Sequence, residues 1–211
     1  NPHNLLSDSS NLSLKFLKYL QHFKPDLLVI LGDRFEILSC AICAFMAGVK
    51  IAHIHGGELT TGSMDDTFRH CISKLSNIHF VSHTTYKKRL MQLGENPKRI
   101  FTVGGLAAEN IKKFKFFSKN NIEEKFKFNF NKKNILINLQ PVTYNNIENN
   151  LIIKETLIAL KKFSKIRIIF TYPGVDLENN TIIKNIEKYV KKNKNCIIIK
   201  SFGDNYYYSL L

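Results

Sequence analysis

Three short stretches of this chain carry side chains able to move protons or hold anions. Gly32-Asp33-Arg34-Phe35-Glu36 directly follows an apolar run. A carboxylate and a guanidinium beyond the carboxyl end of a parallel strand face the crevice where such sheets bind ligands. Asp33 capping the next helix, with Arg34 solvated, accounts for the same residues equally well. In His53-Ile54-His55-Gly56-Gly57-Glu58, the two histidines stand two apart, so extended geometry projects both to one side. Glu58 can approach them after the glycine turn, which suits proton transfer as well as metal binding. Asp65-Asp66-Thr67-Phe68-Arg69-His70 sets Asp65 and Arg69 on one helical face, and Asp66 and His70 on the adjacent one. Two acids at a helix start, each with a partner four residues on, are also ordinary helix stabilisation. Two such pairs directly after a glycine-bearing loop favour a site.

No metal is expected. Cys40 and Cys43 form a lone Cys-x-x-Cys, Cys71 and Cys196 stand apart, and no third nitrogen or sulfur follows His55 at ligand spacing. All four thiols read as small buried hydrophobes of a protein kept in a reducing compartment.

The elements that must position these residues alternate. Residues 12, 16, 17 and 20 are apolar at helical spacing, with Ser9 or Ser10 as the cap and Pro25 as the stop. Residues 26–31 read as a strand apolar on both faces, that is, a central parallel strand. Helices over 36–47, 65–75 and 86–93 then alternate with strands over 49–54, 78–82 and 100–103. A second series has strands over 135–139, 166–170 and 196–199, helices over 151–163 and 181–191, and a further helix beginning near Tyr206. The fold class is therefore α/β, with parallel sheets covered by helices on both faces. Between the two series, residues 113–133 alternate Lys, Phe and Asn. Phe126, Phe128 and Phe130 can line one face of a strand, but a Lys-rich connector packing its Phe stems is preferred. The domains are set at 1–111 and 134–211, with 112–133 between them.

Composition narrows the function class. With 44% hydrophobic and 23% charged residues over 211 positions, the chain can bury a sizeable core. The longest apolar run, 37–49, is too short to span a bilayer, and no leader opens the chain. The net charge of +14 is concentrated in residues 111–211, with 19 basic against 8 acidic side chains. Of the basic residues 26 are Lys, and Arg167 is the only Arg in that half, which points to compositional drift rather than a nucleic-acid face. No membrane or nucleic-acid partner is expected, and the expected location is cytoplasmic.

Taken together, GDRFE, AHIHGGE, DDTFRH and the VGG at 103–105 resemble the hydrolysing UDP-N-acetylglucosamine 2-epimerases of bacterial sialic and legionaminic acid synthesis. The resemblance is dense over residues 24–110. It continues more thinly through Gln140-Pro141-Val142-Thr143 and Tyr172-Pro173-Gly174-Val175-Asp176. It implies two Rossmann-like domains of the glycosyltransferase-B type, both incomplete here, with truncation at both ends of the chain and a homo-oligomer when complete. It also implies a nucleotide-sugar substrate and no cofactor. Members eliminate UDP to leave a 2-acetamidoglucal, then add water to give the free 2-epimer. The C2 proton is weakly acidic, so such chemistry needs carboxylates around C1–C2 and cations on the departing diphosphate. Carried over, Asp33 and Asp65 match acids implicated in proton transfer, Arg34 a nucleotide contact, and Arg69 and His70 the residues following the second acid. His55 stands where the animal enzyme has Glu, so Glu58 takes part of that role. Gln140 replaces the His of a His-Pro-x-Thr strand end and cannot exchange a proton. A non-hydrolysing epimerase, which carries His-Val-Glu-Ala-Gly instead, and a non-catalytic remnant are the alternatives.

Overall fold

A computed structural model describes residues 2–140, 146–173 and 179–211. Pro141-Val142-Thr143 and Gly174-Val175-Asp176 lie outside the described residues. The chain divides into two units, Asn1–Asn110 and Ile111–Leu211.

In the first unit, α1 (Pro2–Phe23), α2 (Phe35–Met46), α3 (Met64–Leu75) and α4 (Thr84–Gln92) alternate with β1 (Leu27–Leu31), β2 (Lys50–Ile54), β3 (Ile78–Val81) and β4 (Ile100–Thr102). The strands are parallel and lie in the order β1-β2-β3-β4. Ile30, His53, His79 and Ile100 share one row across the sheet. With Ile51 and Val81 they form the face on which the helices pack, through Leu20, Ala41, Ala44, Ile72 and Leu90. Because each strand-to-helix turn returns the chain over the same face, all three strand-end loops gather at the carboxyl edge. Helices were expected on both faces; the opposite face instead leaves Val29, Leu31, Phe101 and Val103 about half exposed. Apolar alternation in a strand signals two coverable faces without naming the element that covers each.

Two local readings change. Ser9 and Ser10 do not cap α1 but sit inside it, where Ser10 Oγ donates to the Leu6 carbonyl four residues back. Serine hydroxyls satisfied by the preceding turn no longer oppose the helix. Cys196 is buried and Cys40 and Cys43 half-buried, but Cys71 is exposed, because it opens onto a groove between α2 and α3.

In the second unit, β5 (Asn134–Ile137), β6 (Arg167–Thr171) and β7 (Cys196–Ile199) pair in parallel in that order. After α5 (Leu106–Lys113), which crosses the unit division, come α6 (Lys119–Phe126), α7 (Asn146–Leu160), α8 (Asn179–Lys192) and α9 (Gly203–Leu210). Ile168 and Phe170 pack with α7 and α8 on one face, and Ile169 packs with α6 and α9 on the other. Residues 113–133 supply part of that second layer. Ser118 and Asn121 close a capping box on α6, Phe128 is buried, and Phe117 stacks on Tyr206 at 4.2 Å. Phe126 meets Phe202 edge-on at 4.5 Å. Lysines that keep their charge in water leave these rings free to pack inward.

Candidate functional site

The loops after β1 and β2 and the first two turns of α3 converge on one polar cluster. Gly32, at a φ of +101°, turns the chain out of β1 and delivers Asp33. Arg69, only 5% exposed, reaches back from α3 to ion-pair with Asp33. Its guanidinium also donates to Thr60 Oγ1 at 2.9 Å and lies 3.5 Å from Asp66 Oδ1. Asp66 accepts from the Thr60 amide at 2.6 Å, tying the long loop after β2 to the helix. A buried guanidinium requires this density of partners, since an unpaired charge is costly there.

Beside it, His55 leaves β2 in the left-handed region at φ +67°, its amide donating to Phe80 O. A side-chain-bearing residue held there stores about 1–3 kcal/mol of strain, which accumulates at functional sites. His55 Nδ1 donates to Glu58 Oε1 at 2.7 Å, and Ser82 Oγ, after β3, donates to the same oxygen at 2.7 Å. Burial alone would raise the Glu58 carboxyl. The hydrogen bonds from Ser82 and His55, and the charges of His55 and Arg69, outweigh it and hold the pKa below the ordinary value. With Nδ1 committed to Glu58, only Nε2 of the His55 ring is left to meet another group.

The turn between these residues is seated by α4. Gly57 adopts φ +76°, Arg89 donates to its carbonyl, and a Cβ there would come 2.6 Å from the Tyr86 carbonyl oxygen. Gly57→Ala should therefore lower stability by at least about 2 kcal/mol in urea unfolding. A loss under about 0.5 kcal/mol would show that the turn is not held this way.

The remaining candidates lie as follows. Arg34 bonds Glu36 through two nitrogens at 3.2 and 3.1 Å and is about 40% exposed. Asp65 is half-buried in the first turn of α3, with its amide donating to the Ser63 cap at 3.2 Å. Arg69, on one helical face with Asp65 by its spacing, makes the bonds described above to Asp33, Asp66 and Thr60. His70 stands 3.8 Å from Asp66 Oδ2 and lines the α2–α3 groove with Leu38, Ile42 and Cys71. Gln140 belongs to the second unit, exposed, and donates to Asn138 Oδ1 at 2.5 Å. Among the described residues no three His, Cys, Asp or Glu side chains gather as a metal-binding group.

His53 and His55 do not share a side, since the left-handed turn at His55 swings it away. His53 is fully buried, with Nε2 at 3.0 Å from the Gly32 carbonyl and Nδ1 at 3.2 Å from Ser73 Oγ. Burial lowers its pKa from the usual 6.5 to about 4. His79 is also lowered by burial, against the opposing charge of Glu95 3.2 Å away. In the window from 6.5 to about 4 the unfolded chain binds a proton that the folded His53 ring refuses, and His79 acts in the same direction, so stability falls as pH falls. Unfolding in urea at pH 4.5 should show a loss on the order of 2–3 kcal/mol relative to pH 7, and His53→Gln should reduce it to what His79 contributes. A pH-independent wild type would contradict the burial of neutral rings.

The sequence pattern of one family, UDP-N-acetylglucosamine 2-epimerase, matches residues 4–211. The chain belongs to the UDP-N-acetylglucosamine 2-epimerase family. Among its relatives, a GDP/UDP-N,N'-diacetylbacillosamine 2-epimerase (hydrolyzing) of Campylobacter jejuni is 39% identical over 98% of this chain and 55% of its own length. A UDP-N,N'-diacetylbacillosamine 2-epimerase (hydrolyzing) of Legionella pneumophila is 32% identical over 84% of this chain and 46% of its own. The chain thus spans about half the length of the curated relatives it matches. The crystal structure of UDP-GlcNAc 2-epimerase from Neisseria meningitidis bound to UDP-GlcNAc superposes with a TM-score of 0.83, at 21% identity, over 98% of this chain and 57% of that one. That likeness shows the fold: parallel α/β units of the kind expected. No helix among the described residues of this epimerase-family chain is long and apolar enough to cross a membrane.

Thr60, Ser82 and Ser73 were not singled out by sequence, since a lone hydroxyl in a loop or helix carries no pattern. His53 did carry a signal, the first half of His-x-His, which the buried row it occupies turns to structural use.

Proposed function

We propose that the protein is a hydrolysing 2-epimerase acting on a UDP- or GDP-linked 2-acetamido sugar, including the 2,4-diacetamido-6-deoxy type. It would release the nucleoside diphosphate and the free 2-epimer. The observation that carries this reading is the pair of assemblies at adjacent strand ends: Asp33 anchored by Arg69, and His55 oriented by Glu58. The Gly-Gly-Glu sequence after His55, and the likeness to hydrolysing relatives, support hydrolysis over interconversion of two nucleotide sugars.

In the proposed reaction the C1–O bond breaks with its electron pair leaving on the diphosphate, and the C2 proton passes to a base, giving the glucal. Water then adds, oxygen to C1 and a proton to C2 on the opposite face. Asp33 and Asp65 flank the developing positive charge at C1, while His55 takes or returns the proton through its uncommitted nitrogen. Glu58 acts by fixing the ring, as its short bond to Nδ1 supports. Arg34, the exposed cation of the cluster, meets the nucleotide after leaving Glu36, and His70 contacts substrate. Elimination and hydration consume no metal or nicotinamide. The working form is a homo-oligomer.

Assaying the full-length protein with UDP-N-acetylglucosamine and with UDP- and GDP-linked N,N'-diacetylbacillosamine tests the substrate class. Release of nucleoside diphosphate from at least one of them is expected. Interconversion of intact nucleotide sugars without release would replace the reading with a non-hydrolysing one.

A further inference from the structure

We infer that His53 is a positioning residue for Asp33, acting through the backbone of the preceding glycine; this rests on the reading of Asp33 given above. The Gly32 carbonyl can only accept, so the 3.0 Å contact makes His53 Nε2 the protonated nitrogen and leaves Nδ1 bare toward Ser73 Oγ. The Gly32 carbonyl and the Asp33 amide belong to one peptide plane, so holding the first fixes where the second begins. Gly32 sits at φ +101°, a region with little intrinsic preference of its own, and needs an outside tether to hold one orientation.

The same ring reaches the other half of the ion pair. Ser73 Oγ, 3.2 Å from Nδ1, lies 3.0 Å from the Arg69 carbonyl and has one proton to give to either, so this serine packs between the ring and the turn bearing Arg69. The loop bearing His55 and Glu58 rests on this pair too. A Cβ on Gly56 would fall 2.9 Å from Ser73 Oγ and 3.0 Å from His53 Nδ1. One fully buried ring thus underlies both assemblies without touching the crevice side chains themselves. Its low pKa keeps it neutral, so it adds no charge beside Arg69.

The test compares steady-state kinetics of the full-length wild type with His53→Gln, His53→Leu, Ser73→Ala and Asp33→Asn, each checked for folding by circular dichroism. Gln can place a donor where Nε2 stands; Leu cannot. A reacting group displaced by about 1 Å costs roughly 10²-fold, so His53→Leu should lose about that factor in kcat with KM nearly unchanged. His53→Gln should recover to within about tenfold of wild type, and Ser73→Ala, which frees one side of the ring, should lose about tenfold in kcat. Equal losses in Gln and Leu, a loss confined to KM, or a folded Leu variant with wild-type kcat would overturn the role. Should the Leu variant not fold, wild-type kcat in Ser73→Ala would overturn it instead. An active Asp33→Asn overturns the functional reading itself, whereas an inactive Asp33→Asn beside a fully active His53→Leu overturns only the positioning role.

Discussion

Asp33→Asn should lower turnover of the full-length protein by ~10²–10⁴-fold while leaving the fold intact, the usual cost of removing one group from acid–base chemistry. The amide keeps the size and two polar ends of the carboxylate, so Arg69 retains a hydrogen-bond partner at that position. Arg69 also keeps Thr60 and Asp66, which is why the first unit should still melt close to the wild-type temperature. What the amide lacks is the negative charge facing C1 and the capacity to accept a proton. The loss should therefore appear in kcat, with binding of the nucleotide little changed. Turnover within threefold of wild type would remove Asp33 from the chemistry.

Arg69→Leu should be the most damaging substitution to the fold of the first unit. It removes a buried cation and leaves Asp33 and Asp66, each about a quarter exposed, without the partner they share. Breaking a buried pair in this way costs roughly 3–5 kcal/mol. Because the two carboxylates can regain some water, a loss near about 3 kcal/mol is expected in urea unfolding. Activity should fall with stability, since the Thr60 loop is tied to α3 partly through this guanidinium. Arg69→Lys should recover part of the stability but little of the activity, because one ammonium cannot satisfy the three partners a planar fork reaches. Unchanged unfolding in the Leu variant would mean that the ion pair is not what holds the loop.

Much of this was legible in the residues. The alternation of apolar runs with amphipathic segments indicates parallel strands and crossing helices, and the cluster at the carboxyl edge follows from where those strands end. Asp33 and Glu58 stand in loops, and Arg69 in the second turn of a helix, whose places in such a fold are predictable. The partner choices were not. That Arg69 reaches Asp33 as well as Asp66 of its own helix depends on tertiary packing that joins residues 36 apart along the chain. The left-handed turn at His55 is equally hidden, because a single residue at positive φ leaves no periodic trace, and an extended His-x-His reads as two rings on one side. The aromatic run over 113–133, preferred above as a connector packing its Phe stems, does set Phe117, Phe126 and Phe128 under the sheet of the second unit. The helix that Ser118 and Asn121 start within it is hidden by the period of two over Phe126, Phe128 and Phe130.

The most direct test of the central claim is proton NMR of the full-length protein turning over its nucleotide sugar in D2O. Elimination followed by hydration predicts free sugar of inverted configuration at C2, carrying deuterium there, formed at the same rate as nucleoside diphosphate. Deuterium at C2 of sugars that stay joined to the nucleotide, or a free sugar that keeps its original hydrogen and configuration at C2, would contradict the account.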